Sequence, residues 1–282
     1  DKEGIRSNSV YSLLVDDRGA VWVGHFQAGL DYSLYQNGLF RTYAYPPLFN
    51  SANLSIRSFI SRGQEKVIGS RDGLFYINEA TGMVKSFVKP VLTSDLILTI
   101  SFYQGEYYIG TYGGGMMVLN PETLSLKYFS QSDTELFQKG HIFCVKPDTK
   151  GNLWIGTSQG LFNYNGQTKQ IKHFTSANSQ LLEGNVYEVS FDSTGKGWTA
   201  TETGMCIYDP ASQNLRSNVF PEGFVNKDKV RTIYEDSEHN LYFIREKGSL
   251  FTSTLTMDRF YNQSVFSTLP DNSLMAIVED NQ

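Results

Sequence analysis

Apolar residues recur along the chain in short runs of fixed spacing. Val10 and Leu13 are followed by Asp16, Ile142 and Val145 by Asp148, Val186 and Val189 by Asp192, and Val230 and Ile233 by Asp236. In two further copies Arg62 and Tyr103 stand where the Asp would be. Such short runs, rich in β-branched and aromatic residues and bounded by Asp, Gly and Asn, predict strands. Turns such as "DDRG", "DTKG" and "DSTG" come next, where the Asp carboxylate can accept backbone N–H groups and Gly can take positive φ. Each hairpin then leads into a second strand carrying Trp22, Trp154 or Trp198, with Tyr108 and Tyr242 in the same role.

That second strand ends in a short polar turn closed by Gly29, Gly73, Gly115, Gly160, Gly204 or Gly248. A third strand is predicted over 30–34, 74–77, 116–119 and 161–164. Turns such as "NEATG", "NPETL" and "DPASQ" separate it from a fourth strand with an aromatic residue, as in "VKSFV", "LKYFS" and "IKHFT". The residue two places after the Trp position is Gly24, Gly69, Gly110, Gly156, Ala200 and Ile244, a recurrence of about 44 residues. A phosphate-binding glycine loop occurs once and opens a helix. Six copies at this period are architecture instead.

Four strands in about 44 residues make one propeller blade. The predicted fold is all-β, a β-propeller of six four-stranded antiparallel blades over 9–53, 54–94, 95–139, 140–183, 184–227 and 228–272. These blades form one region spanning 1–282. "LMAIVEDNQ" repeats the opening of a blade, with Leu274, Ile277 and Asp280 in register. Residues 273–282 therefore predict the first strand of an incomplete seventh, and the sequence reads as an excerpt of a longer protein. No stretch has a helical period long enough to compete. The tryptophans are expected to pack between neighbouring blades.

A net charge of −5 without a basic run argues against nucleic-acid binding by phosphate neutralisation. No apolar stretch is long enough to span a bilayer, and "DKEGIRSNS" reads as a connecting loop rather than a signal peptide. Cys144 and Cys206 occupy apolar-type strand positions and are expected to be buried free thiols rather than a disulfide.

Catalytic chemistry is thinly represented. His239 falls in a hairpin turn and His173 in a fourth strand, while His25 and His141 lie near blade starts in different copies. All four fit satisfied or solvated histidines better than a two-His metal site. The acid pairs Asp16–Asp17 and Glu279–Asp280 fit turns better than glycosidase carboxylates, and no G-x-S-x-G context occurs. No catalytic residue, metal or cofactor is expected. Recognition is expected on the loops that join second to third strands and one blade to the next. These carry His25, Phe26, Gln27, Arg57, Arg71, Asp72, Tyr112, Gln159, Glu202, Arg231 and Arg245. Arg71, Tyr112 and Arg231 lead that set, because Tyr can stack on a sugar ring and Arg can donate to hydroxyls or carboxylates.

The form "V-x-x-I-x-x-D-x-x-G-x-L-W-I-G-T-x-x-G-L-x-x-Y", clearest in 142–164 and 10–32, resembles the two-component regulator propeller repeat. The resemblance extends along nearly the whole chain, to the extracytoplasmic sensor region of hybrid two-component systems of gut Bacteroidetes. It implies a non-catalytic periplasmic sensor, probing for an oligosaccharide and controlling polysaccharide-utilisation genes through sensor histidine kinase, response regulator and DNA-binding modules outside this chain. It also implies a second receptor chain as partner in a homodimer, with no nucleic-acid or membrane contact by this part. The copies depart from the repeat in places. Thr157 and Thr111 keep its small polar residue after the glycine, whereas His25, Ser70 and Arg245 fill that slot elsewhere, and the sixth copy lacks both the Trp and the first Gly. Two alternatives stand beside the sensor: a metal-dependent propeller lyase resembling streptogramin-type lyases, and a protein-interaction scaffold.

Overall fold

The computed structural model describes residues 4–33, 39–43, 54–129, 135–217, 227–246, 250–254, 260–262 and 274–279. Its strands form six four-stranded antiparallel sheets, each made of four consecutive strands in chain order, the blade connectivity of a β-propeller. The sheets cover 10–42, 56–87, 97–128, 142–174, 186–216 and 230–262, called blades one to six below. The expected third strands are present, at Leu30–Ser33, Leu74–Asn78, Met116–Leu119 and Gly160–Asn165. Leu34 and the turn glycine Gly248 lie outside the described residues. Blades one to three belong to one compact unit and blades four to six to another.

In blades one, four, five and six the first two strands are joined by the predicted Asp turn, and the Asp does more than make the turn. Asp16 Oδ1 accepts the amides of Arg18 (3.0 Å) and Ala20 (2.9 Å), and its Oδ2 accepts Trp22 Nε1 at 3.0 Å. Asp148–Trp154 (2.9 Å) and Asp192–Trp198 (2.8 Å) repeat the bond, and in blade six the Tyr242 hydroxyl donates to Asp236 at 3.0 Å. Thus the six-residue spacing from Asp to indole spans one hairpin. In blade two, where Val67 replaces the aromatic and leaves no side-chain donor, Arg62 replaces the Asp.

Each indole is buried against the following blade of its unit. Trp22 lies 5.0 Å from Phe59, Trp154 4.5 Å from Tyr208, and Trp198 5.5 Å from Phe243, measured between ring centroids. Burying some 150–250 Å² of an aromatic side chain at about 25 cal/mol/Å² makes these rings large terms in holding blade to blade. The expected inter-blade role of the tryptophans is what the packing shows. Behind them, Gly156 sits where a Cβ would come within 2.5 Å of Cys144 Sγ and 2.7 Å of the Val186 carbonyl of the next blade. The repeated glycine is a close-approach residue at that position.

Two features differ from the sequence reading. A five-residue helix, Glu135–Lys139, precedes blade four, too short to show a 3.6-residue period. Leu274–Glu279 carries no strand pairing, although Thr232 Oγ1 donates to Met275 O at 3.2 Å, much as Ser12 Oγ donates to Ile56 O at 3.3 Å. A first strand becomes a strand by pairing with a second, and none of the described residues pairs with this segment. Asp280 lies outside the described residues.

Candidate ligand-binding edge

The first strand of every blade contains a β-bulge at the same place. In blade one Val10 pairs with His25 and Ser12 with Gly24, leaving Tyr11 without a partner. The corresponding bulged residues are Arg57, Leu98, Phe143, Tyr187 and Arg231. All six are half-buried. A bulge re-aims a side chain and ends regular pairing, which is why bulges gather beside functional sites.

Opposite five of the six bulges, the first residue after the second strand is fastened by its own amide. Phe26 N donates to Ser9 O (2.8 Å), Arg71 N to Ser55 O (3.0 Å), Tyr112 N to Leu96 O (3.0 Å), Glu202 N to Asn185 O (3.0 Å) and Glu246 N to Lys229 O (2.8 Å). Each blade therefore presents a pair of neighbouring positions at one edge: Tyr11/Phe26, Arg57/Arg71, Leu98/Tyr112, Phe143/Ser158, Tyr187/Glu202 and Arg231/Glu246. The frame repeats while the side chains do not.

Within blades one to three, Tyr11 meets Phe26 edge-on at 5.3 Å, and the Arg57 guanidinium lies 4.8 Å from the Tyr11 ring centroid. Tyr112 is 51% exposed and rests on the His141 ring at 4.0 Å. Within blades four to six, Phe143 and Tyr187 lie 5.1 Å apart, and the Tyr187 hydroxyl donates to Glu202. Asn185 Nδ2 donates to the same carboxylate at 3.1 Å, and Lys229 stands 3.5 Å from it. Lys229 also reaches Glu246 at 4.0 Å, and Glu246 pairs with Arg231 at 3.4 Å. The Tyr187 hydrogen bond, with the Lys229 charge and Asn185, holds the Glu202 carboxyl below its ordinary value against the opposing effect of burial. Burial alone would lower the Lys229 ammonium, but Tyr187 and Glu202 hold it above the usual lysine value.

Several sequence-predicted residues meet at this edge and others do not. Arg71, Tyr112, Glu202 and Phe26 are the turn members of the pairs. Arg57 and Arg231 belong to first strands as bulged residues rather than to loops. Gln27, Asp72 and Gln159 are exposed turn-tip residues beside them. His25 and Arg245 correct the expectation. Both end second strands and are buried, His25 with Nε2 at 2.9 Å from Asp31 and Arg245 paired with Asp228. Their slot is internal: in the other blades Thr111, Thr157, Thr201 and Ser70 use it to donate to the turn glycine carbonyl at 2.8–3.0 Å. Tyr11, Phe143 and Tyr187 were missed, because plain alternation does not separate a bulged residue from its neighbours.

Reactive groups elsewhere are spent or insulated. Cys144 and Cys206 are free, buried thiols pushed up to about 12 by burial, as expected for packing residues. His173 stacks on Phe162 at 3.8 Å and its Nε2 meets Gln159 O at 2.8 Å. At the opposite, Asp-turn edge, a cleft of about 810 Å³ opens between blades four and five. Its Asp148, Asn152 and Asn165 side chains are engaged with one another and with their own turns.

The two-component regulator propeller family matches residues 4–27 and 137–159. The chain is 28% identical over 149 residues to histidine kinase P4 of Formosa agariphila, covering 50% of this chain and 11% of that protein. The extracellular domain of the hybrid two-component system BT3049 of B. thetaiotaomicron is similar with a TM-score of 0.64 and 25% identity, over 86% of this chain and 34% of that one. PorZ, a surface component of the type-IX secretion system of Porphyromonas gingivalis, shares the fold with a TM-score of 0.75 at 13% identity, over 98% of this chain and 44% of that one. The chain thus spans a third to a half of the length of these solved relatives and a smaller part of the kinase. Among the described residues no helix is long and apolar enough to cross a membrane. The chain is a β-propeller that carries two matches to the two-component regulator repeat and is similar over most of its length to the extracellular domain of a hybrid two-component system.

Proposed function

We propose that this propeller is the periplasmic ligand-sensing part of a hybrid two-component receptor and that it binds an oligosaccharide at the bulged edge. The observation that carries this reading is that one repeated backbone device places a side-chain pair of changing chemistry, aromatic or charged in most blades, on each blade of both units. Aromatic faces such as Tyr112 and Tyr11 suit the apolar faces of sugar rings, and the Glu, Lys and Arg groups beside them suit hydroxyls. Binding here does no chemistry. It biases a packing equilibrium between this propeller, the rest of the receptor and a second receptor chain, and so sets the output of kinase and polysaccharide-utilisation genes. Coupling of about 1–3 kcal/mol is enough for such a switch. The lyase alternative rests on His25 and His141, and His25 is fully buried against Asp31. Incubation with a panel of oligosaccharides and divalent metals, followed by calorimetry and mass analysis of the products, tests the reading. Binding without product is expected. Turnover that disappears on His141→Ala would overturn it.

A further inference from the structure

Five of the six edge pairs are internally compatible. Tyr11/Phe26 is an aromatic contact, Leu98/Tyr112 and Phe143/Ser158 are uncharged, Tyr187/Glu202 is a hydrogen bond, and Arg231/Glu246 is an ion pair. Blade two differs. Its pair is Arg57/Arg71, two cations flanking the Ile56–Ser70 backbone pair, with Arg71 N held on Ser55 O. Arg6, Arg18, Arg62 and Arg245 each have a carboxylate counter-charge, on Asp31, Asp16, Glu65 and Asp228, whereas Arg41 and Arg216 form no ion pair among the described residues. Among the described residues neither Arg57 nor Arg71 has a paired carboxylate. The neighbouring Asp72 is exposed, and its amide is held by Ser70 Oγ at 2.9 Å. Arg57 Nε is buried with no acceptor. Arg57 Nε, buried without an acceptor, costs free energy, and with the exposed cation of Arg71 on the facing turn this position favours an oxyanion.

We infer that Arg57 and Arg71 form an oxyanion subsite and that the saccharide bound at this edge is acidic, carrying a carboxylate or a sulfate. A guanidinium takes either group in a bidentate fork. The Tyr11 ring against Arg57 and the Phe26 ring beyond it place an aromatic surface next to the charge, where the sugar ring that carries the anion can lie. The saccharide part rests on the function proposed above, whereas the anion part rests on the arginine pair alone.

The test is calorimetry of the 282-residue chain with inorganic sulfate and with neutral, uronate-containing and sulfated oligosaccharides of equal length. Arg57→Gln and Arg71→Glu are measured beside the parent. Arg71→Glu gives blade two the charge pattern of blade six, so it separates binding from folding. The acidic saccharides are expected to bind at least ten-fold more tightly than the neutral one. Arg57→Gln removes that advantage, and Arg71→Glu abolishes it with an unchanged or higher Tm. The uronate and sulfated arms show which oxyanion the site takes. Equal affinity for neutral and acidic saccharides, or acidic binding unmoved by both substitutions, overturns the subsite while leaving the oligosaccharide reading in place. Arg57-dependent sulfate binding with no saccharide bound upholds the subsite and sinks that reading. Silence from every probe overturns both.

Discussion

Asp16 shows how one side chain ties a turn to the packing between blades. Its carboxylate serves two turn amides and the indole of Trp22, itself packed on Phe59 of the next blade. Burial alone would raise its pKa, but the Trp22 bond, the Ala20 and Arg18 amides and the Arg18 charge bring it below the ordinary value of 3.8. A carboxyl depressed in the folded state stabilises fully above the unfolded value and loses that contribution as pH falls below it. Asp16→Asn keeps an oxygen for the turn but turns an N–H toward the indole N–H. It should cost about 1–3 kcal/mol at pH 7, the penalty for a buried donor left unmet. Urea unfolding of both proteins against pH checks this: the gap should narrow below about pH 4, and a gap that stays constant would mean the charge is irrelevant. The turn role of the Asp was legible in "DDRG". The indole bond was not, because a six-residue separation becomes a contact only once the hairpin register is known.

At the scale of the element, the bulge was in fact written in the sequence. Apolar residues three apart, as in Ile142 and Val145 or Val186 and Val189, cannot share a face of a regular strand, whose period is two. Both members of these two sets are buried, and the pairing register places the extra residue between them. Reading those sets as strand markers located the blades but passed over the bulged Phe143 and Tyr187. The anchor glycine was legible as a repeat feature, though its reason needed the next blade in place. Gly156→Ala should cost about 1–3 kcal/mol, the usual range for overpacking. Shortening Cys144 to Ala as well should not restore the loss, since the Val186 carbonyl cannot move aside as a side chain can. Full rescue in the double variant, read from thermal unfolding, would show that only the thiol was in the way.

For the whole molecule, each of the two units holds three sheets of one design, with bulged edges whose side chains change from blade to blade and opposite edges of turns in which Asp recurs in four of the six blades. The regular turns could be read directly from composition and spacing. Most of the named loop residues lie at the bulged edges, but His25 and Arg245 end second strands, because nothing in a lone sequence tells the last residue of a strand from the first of a turn. The central claim is that the bulged edge binds ligand and the Asp-turn edge does not. Its most direct test is calorimetric titration of one oligosaccharide that the parent chain binds, repeated on Tyr112→Ala and Tyr187→Ala at the first edge and on Asp17→Ala and Lys150→Ala at the second. The account predicts at least a ten-fold loss of affinity for one or both of the tyrosine variants and parental affinity for the turn variants. Parental binding by both tyrosine variants, with loss on changing Asp17 or Lys150, would contradict it.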